Sequence, residues 1–546
     1  MAERFGRKFD DELELEFGEW GVLSISPTLD AFQASLLYFD REDIIKKEIN
    51  RFDMVQAARR YYDGNHVKPL KVKSGQADDN VIMNLCRPLV DDGVSWLFGD
   101  PASDDRGVLE FQIMPPKPVA GEIGPDGEMQ EEPEEKEPPI YGEPVLPDDE
   151  AYEEPEIDPR IEEAAEVLRK VLKKSGGFHL LKRLGVRGGV AGHFYLKIVP
   201  APEDEQEDNE PPRIVVLDPN RCSVMLDPTD STRVIGYKVE WRRDERPGGM
   251  GRKTTYIYRQ LAVEADKGVW VVADFKSKDK KKRDWELVGG PWAWPYKWSP
   301  IADGPNVMPA WGYYGLSDLE DVAGMNDAIN FVVSNYSRIL KHHAHPKTVG
   351  TGFKAGDLVK TNVDSLWTIE NPNAKVANLE MQTDLKSSMA LIELLRTEFW
   401  SEGRGLDPSV YKDKIGTITN FGLRVLAVRA LHNNSDKRQT YGEVLRQTMN
   451  HILEMAGFEG FDAIPQWPDP LPEDPKDSLD RAEKEIKLDL ASRRTKMEEL
   501  GRSWEQEGPR IRAEKKERMD LGQFLVGEFD KGTTPQPFGK KEEKNE

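Results

Sequence analysis

Residues 317–346 read SDLEDVAGMNDAINFVVSNYSRILKHHAHP. Ser317 with Glu320 has the form of a capping box: the hydroxyl covers a free helix amide and the glutamate reaches back. Leu316, Leu319, Val322, Ile329, Val332, Val333, Tyr336, Ile339 and Leu340 follow at three- and four-residue steps. The run has Gly324 as its one glycine, lacks an internal proline, and closes at His345-Pro346. At 1.5 Å per residue the pattern predicts a rod of roughly 40 Å. A long capped rod is a sign of architecture more than of catalysis.

On its C-terminal side a short polar stretch with β character, Pro346 to about Glu380, precedes a second helix over about Asp384–Trp400. A Gly-rich loop, EGRGLDPSVYKDKIG over residues 402–416, leads to a third helix ending near Met455. After QWPDPLP (466–472) the chain returns to amphipathic helices, with a further capping box at Thr495–Glu498, and ends in a polar tail.

On its N-terminal side, residues 178–298 have β texture. Short strands are expected over Val190–Val199, Arg213–Leu217, Val234–Trp241, Thr254–Tyr258 and Val269–Ala273. Turns such as Asp218-Pro219-Asn220 separate them, which predicts one small antiparallel sheet. Earlier, a helix starts at Arg41, with Ile44, Ile45, Ile49, Met54 and Ala57 near one stripe, and Gly64 suits a left-handed cap. Another follows Asn84 and stops at Gly99 and Pro101. A third spans about Arg160–Lys174. Residues 1–40 are charged and expected to be loosely ordered.

The chain has 546 residues, 38% hydrophobic and 32% charged, with net charge −23. That length allows two to four domains or one large discontinuous one. Residues 115–160, dense in Glu and Pro, supply much of the acidity and are expected to be a solvated loop. The charge argues against a protein that coats nucleic acid through phosphates, because that needs a basic face. It allows one past which a polyanion slides, since an acidic wall repels DNA. Cys86 and Cys222 form no CxxC pair or disulfide framework, which suggests a reducing compartment. No apolar run approaches a membrane span and no signal-peptide core opens the chain, so a cytosolically made protein without membrane attachment is expected.

Catalytic signatures are wanting. GGMGRKT (248–254) has the wrong spacing for a phosphate loop and reads as a hairpin turn. GVRGGVAG (185–192) follows a helix and precedes a strand, the reverse of the dinucleotide order, and reads as a tight helix-to-strand junction. His342, His343 and His345 cluster without partner ligands; helix C-terminal polar groups are the simpler reading. Trp285, Trp292, Trp294 and Trp298 read as packing beneath a loop. With 99 acidic residues, no carboxylate pair can be singled out for two-metal chemistry. The expectation is no enzyme, no catalytic residue, no metal and no cofactor.

Several motifs then fall in a recognisable order. YYDG (61–64), Asn84, Val90-Asp91 and WLFGDP (96–101) are followed by GVAGHFYLKI (189–198), Leu217-Asp-Pro and VMLDP (224–228). YGLSDLE (314–320) and MNDAIN (325–330) come next. In this order the chain resembles the SPP-type family of tailed-bacteriophage portal proteins, over roughly residues 41–505. The resemblance implies an α+β, portal-type subunit with long stem helices, a β-rich wing, a small β/α clip and a helical C-terminal crown. It implies a non-enzymatic ring of about twelve copies at one capsid vertex of a virion, through which double-stranded DNA is packaged and ejected. Its implied partners are the large terminase, the head-tail adaptor, and the major capsid and scaffold proteins. Carried over by position, a flexible N-terminus covers 1–40, the wing 41–310, stem helix one 311–345 and the clip 346–382. Stem helix two covers 383–400, a tunnel loop 401–416, the long helix and its return to the wing 417–471, the crown 472–530 and a tail 531–546. Tyr411, Lys412 and Lys414 are the loop's only aromatic and lysine residues and are candidates to face DNA in the channel; the alternative is that they face a neighbouring subunit or the stem. Residues 115–160 would be a wing-edge loop meeting shell or scaffold, or a passive insertion. Two readings from other classes stay open: a nucleic-acid-processing enzyme with a degenerate site, and a monomeric adaptor whose helices bind partner helices.

Overall fold

In the computed structural model the described residues are 15–17, 21–23, 26–72, 74, 78–101, 108–116, 159–201, 211–246, 253–266, 268–278, 285–344, 347–351, 373, 375–379, 385–407, 420–471, 475–488, 490–499, 508, 510 and 511. The chain divides into two units, Met1–Leu471 and Pro472–Glu546.

The first unit opens with a short hairpin, β1 (Leu15–Phe17) and β2 (Gly21–Leu23), then α1 (Ser26–Phe39) and α2 (Glu42–Tyr62). Residues 1–40, expected to be loose, therefore hold a folded helix: Phe32, Leu36 and Phe39, three and four residues apart, are buried. The charge of residues 1–20 hides this apolar stripe in any average over the segment. On α2 the expected stripe is not the buried face: Ile44 and Ile45 are half-buried, Ile49 and Met54 are 52% and 58% exposed, and the buried residue is Val55, outside that stripe. Gly64, at φ +82°, ends the helix as anticipated.

Next come α3 (Cys86–Phe98), β3 (Glu110–Met114), α4 (Pro159–Ser175) and α5 (Phe178–Ala191). The α5 helix runs straight into β4 (His193–Val199), so the Gly-rich stretch is a helix-to-strand junction. Its glycines set the packing distance. A Cβ at Gly188 would sit 1.9 Å from the Tyr441 hydroxyl, and one at Gly185 2.9 Å from Phe98 and Val94.

The β region is built from β5 (Arg213–Val216), a 3-10 turn at Pro219–Arg221, β6 (Cys222–Leu226), β7 (Val234–Glu245), β8 (Thr254–Asp266), β9 (Val269–Ser277), β10 (Glu286–Ala293) and β11 (Ile301–Pro305). The single sheet expected from sequence is two. One is an antiparallel meander in the order β10-β9-β8-β7-β6, and the other has the order β11-β4-β5. Alternation along the strands explains why they layer. Leu261 and Val263 of β8 face Phe32, Leu36 and Phe39 of α1 in one core. Their neighbour Ala262 joins Tyr195 and Ile301 of the smaller sheet in a second core. On β4, Phe194, Leu196 and Ile198 face the other way, into a third core with α3, α4 and α5. The result is helix, sheet, sheet and helices in succession. β7 and β8 pair antiparallel from Gly236↔Val263 to Glu245↔Thr254, as consecutive strands of one hairpin; residues 247–252, with most of the expected turn, lie outside the described residues. The tryptophans are dispersed: Trp285 is buried against α1, Trp292 is exposed, and Trp294 and Trp298 meet edge-to-face at 5.4 Å.

The long rod follows as α6 (Ala323–Ala344), then β12 (Lys347–Thr351), β13 (Lys375–Leu379) and α7 (Leu385–Glu402). It starts six residues later than Ser317 and its 22 residues span about 33 Å. β12 and β13 pair antiparallel from Lys347↔Leu379 to Thr351↔Lys375, and α6 and α7 pack on one another. Behind them lie α8 (Asn420–Leu426), α9 (Val428–Met455) and β14 (Asp462–Gln466). The expected continuous third helix is interrupted at Ala427. β14 pairs with the distant β3, Asp462↔Met114 to Gln466↔Glu110.

In the second unit, α10 (Pro475–Lys487) precedes α11 (Arg493–Glu499). The cap of α11 is Ser492, whose Oγ accepts the Thr495 amide at 3.1 Å, so Thr495 is not the cap residue. Both cysteines are free and buried, and among the described residues no helix is long and apolar enough to cross a membrane.

Candidate functional site

The chain leaves the smaller sheet at Pro305 and must enter α6 with a fixed direction. Asp303, in the middle of β11, collects three donors: Tyr237 OH (2.7 Å), Tyr313 OH (2.7 Å) and His193 Nε2 (2.8 Å). The Nδ1 of His193 accepts the Gly315 amide at 3.4 Å, so the neutral ring carries its proton on Nε2. Burial, followed by the charge of Asp303, raises the pKa of both tyrosines.

Ser317 is a cap, but half of a box. Its Oγ accepts the Leu319 amide at 3.1 Å and donates to the carbonyls of Val190 (2.8 Å) and Gly189 (3.1 Å). Glu320 makes no reciprocal bond to Ser317 among the described hydrogen bonds; its amide meets Ser317 O at 3.4 Å. The hydroxyl proton is thus committed to α5, and residues 318–322 form turns before the helix proper. Asp318 is clamped there. Its amide donates to Gly189 O (2.8 Å) and its carboxylate accepts from Lys437 Nζ (2.6 Å) and Asn306 Nδ2 (2.9 Å). The Lys437 and Asp318 side chains are 5% and 8% exposed. Tyr441 OH completes the set by donating to Asn306 Oδ1 at 3.0 Å.

One face of α6 is held by a polar stripe. Asn326, Asn330, Ser334 and Arg338 recur every four residues, and an extended segment, residues 79–85, lies along them. The Leu85 amide donates to Asn326 Oδ1 (3.0 Å), the Met83 amide to Asn330 Oδ1 (2.8 Å) and the Val81 amide to Ser334 Oγ (2.9 Å). Arg338 closes the row on Asp79 at 3.0 and 2.6 Å. The match is metrical: four helical residues rise about 6 Å, close to two extended residues at about 3.3 Å each. Beside the row, Tyr61 OH donates to Asp327 at 2.6 Å, and burial plus this bond pushes its pKa to about 12.

On its other faces the α6–α7 pair has a different character. Phe331 and Leu340 on α6, and Met389, Leu391 and Leu394 on α7, are all exposed. Leu391 and Leu394 lie one turn apart, whereas Met389 is on a different side of α7.

Tyr411, Lys412 and Lys414 lie outside the described residues, as do His345 and the side chains of His342 and His343. The base of the loop is described. Gly403 and Gly405 amides close on Phe399 O and Trp400 O, both at 3.0 Å, Arg404 adopts φ +52°, and Arg396 holds Asp407 at 3.1 Å. Arg429 hydrogen-bonds Ser401, and Arg424 pairs with Asp469 at 2.9 Å on the far side. Both ends are therefore tied. Sequence reasoning misses the asparagine row and the Asp318–Lys437 pair. The four-residue spacing of Asn326, Asn330 and Ser334 could reveal the first; no local pattern marks the second.

The family model for SPP1 Gp6-like phage portal proteins matches residues 141–520. The chain belongs to this family. It is a portal protein, an α+β chain of mixed helix and strand. No curated relative matches it. Among solved structures it is similar to a chain in the neck of a native GTA particle computed with C12 symmetry. That match has 16% identity and a TM-score of 0.34, covering 62% of this chain and 83% of the other. A chain from the virion of a native gene transfer agent particle matches at 17% identity and TM-score 0.35, covering 62% and 84%. Likeness at these TM-scores carries no weight for the function of this portal protein, which rests on its family membership and its own geometry.

Proposed function

We propose that this portal protein is the non-enzymatic subunit of a ring of about twelve copies in a virion, and that α6, α7 and the β12–β13 hairpin form its stem and clip. The observation that carries the ring is the two-sided apolar exposure of the α6–α7 pair. A helix with apolar residues on several faces needs cover on each of them, and one subunit covers only one side. A closed ring supplies a neighbour on both flanks, which a monomeric adaptor would lack.

In this reading residues 346–382 form the clip that meets the large terminase during packaging and the head-tail adaptor afterwards. The two sheets with α1–α5 are the wing, and residues 472–530 the crown. The loop 401–416 lines the channel through which double-stranded DNA passes, with Tyr411, Lys412 and Lys414 toward it. Tied at Ser401–Asp407 and at Arg424, the loop has a firm base on both sides. The net charge of −23 suits a conduit that lets DNA pass without holding it. The test is Lys412→Ala with Lys414→Ala in assembled particles. The expected result is a drop in packaged or retained DNA with the ring intact; unchanged packaging and retention would remove these residues from the channel.

A further inference from the structure

The chain between β11 and α6 makes a closed loop. The Leu316 amide donates to Val307 O and Asn306 Nδ2 to Leu316 O, both at 3.2 Å, and Tyr313 OH reaches back to Asp303 at 2.7 Å. Gly312, at φ +87°, turns the chain next to Trp311. With its base and one limb tied, the loop holds Met308 and Trp311 outward, 67% and 92% exposed. Among the described residues no large apolar side chain is more exposed than Trp311. Tryptophan is usually well buried, and at surfaces it is a frequent anchor of protein contacts. Residues 304–317, GPNVMPAWGYYGLS, carry no charge in a chain that is 32% charged.

An apolar cleft of about 720 Å³ lies beside the start of α6. Met54, Val55 and Ala58 of α2 line it together with Leu316, Leu319 and Ala323. Its charged lining is balanced, Lys47 and Arg51 against Glu48 and Glu320. Glu48 is held by Lys238 at 2.5 Å, and the Arg51 guanidinium lies over the Tyr314 ring at 4.2 Å and donates to Cys222 O. Such a cleft suits an uncharged apolar occupant, and its size takes an indole with a methionine side chain beside it. The cleft is also continuous with the apolar exposure of α6. From Ala323, four-residue steps lead through Asp327, bonded by Tyr61 of the cleft, to Phe331, which is 49% exposed. One subunit alone leaves both the loop and the cleft unfilled. A ring brings the loop of one copy to the cleft of another, because head-to-tail contact joins different patches of identical chains.

We propose that Trp311, with Met308 beside it, seats in the cleft between α2 and the start of α6 of the adjacent copy. The inference rests on the ring reading and adds to it a contact at the base of the stem. Full-length chains carrying Trp311→Cys and chains carrying Met54→Cys, each with its own tag, are co-expressed and oxidised; both native cysteines are buried. A disulfide-linked dimer bearing both tags is expected from the mixture and from neither variant alone. Separately, Trp311→Ser is expected to raise the concentration at which the ring dissociates by at least about tenfold in mass photometry, and Trp311→Phe much less. The thermal midpoint of the dissociated Trp311→Ser subunit stays at the wild-type value, because the indole is already in water. A ring unchanged in Trp311→Ser overturns the inference and leaves the ring reading standing, with the loop free for a different protein. A weakened ring without the two-tag dimer sets Trp311 against some other part of the neighbour and equally overturns it. A wild-type monomer at all concentrations removes both readings.

Discussion

Two faces of the α6–α7 region are held by different means. One face of α6 is bound by its own chain: Asn326, Asn330 and Ser334 take the amides of residues 85, 83 and 81, and ahead of the helix Asp318 is locked by Lys437. The other faces, with α7, leave Phe331, Leu340, Leu391 and Leu394 exposed. Polar satisfaction within the subunit fixes where the stem starts and points. Apolar surface left over is what assembly consumes. A subunit can therefore be well anchored alone and still be incomplete alone.

The sharpest way to break this contrast is on the exposed side. Leu391→Asp with Leu394→Asp is expected to abolish the ring in mass photometry while moving the thermal midpoint of the dissociated subunit little, because those side chains are already in water. Loss of subunit stability instead would place them in the subunit's own core.

On the anchored side, Asp318→Ala leaves Lys437 buried without its partner and should cost about 3–5 kcal/mol in urea unfolding. The paired change Asp318→Leu with Lys437→Met should recover much of it, since an apolar pair of similar volume is tolerated. Failure of the paired change to recover any stability would show that the carboxylate's bond to Asn306, and not its pairing with Lys437, sets the cost.

A smaller effect is expected from Asn330→Ala. It strands the Met83 amide and should cost roughly 1–3 kcal/mol, with faster hydrogen exchange at Met83 and Val81. Unchanged exchange there would mean that the row is incidental. The smallest is Glu320→Ala, expected within about 0.5 kcal/mol of wild type because the reciprocal arm of the cap is not made. A loss near 1 kcal/mol would restore the full capping box.

Local chemistry was legible in the sequence where one segment carried the whole signal. The Gly64 cap, the α5–β4 junction and the β7–β8 hairpin each depend on a few neighbouring residues. Ser317 was legible as a cap, but not its competing bonds to Gly189 and Val190, which come from another helix and delay α6 to Ala323. Long-range partners left no trace. β3 and β14 pair across the chain, and strand patterning states which face is apolar, never which strand lies alongside. The division into two sheets has the same origin. Tyr411, Lys412 and Lys414 were picked out by composition of a loop, and their part in the channel is a proposal to be tested at those residues.

The central claim is that the exposed apolar sides of α6 and α7 are covered by neighbouring copies. The most direct measurement is the mass distribution of the purified full-length protein in solution, followed by averaged electron-microscope images of the largest species. A closed ring of about twelve copies, with α6 and α7 of adjacent subunits in contact around the axis, is the predicted result. A stable monomer at all concentrations, or a ring in which Leu391 and Leu394 still face solvent, would contradict the account.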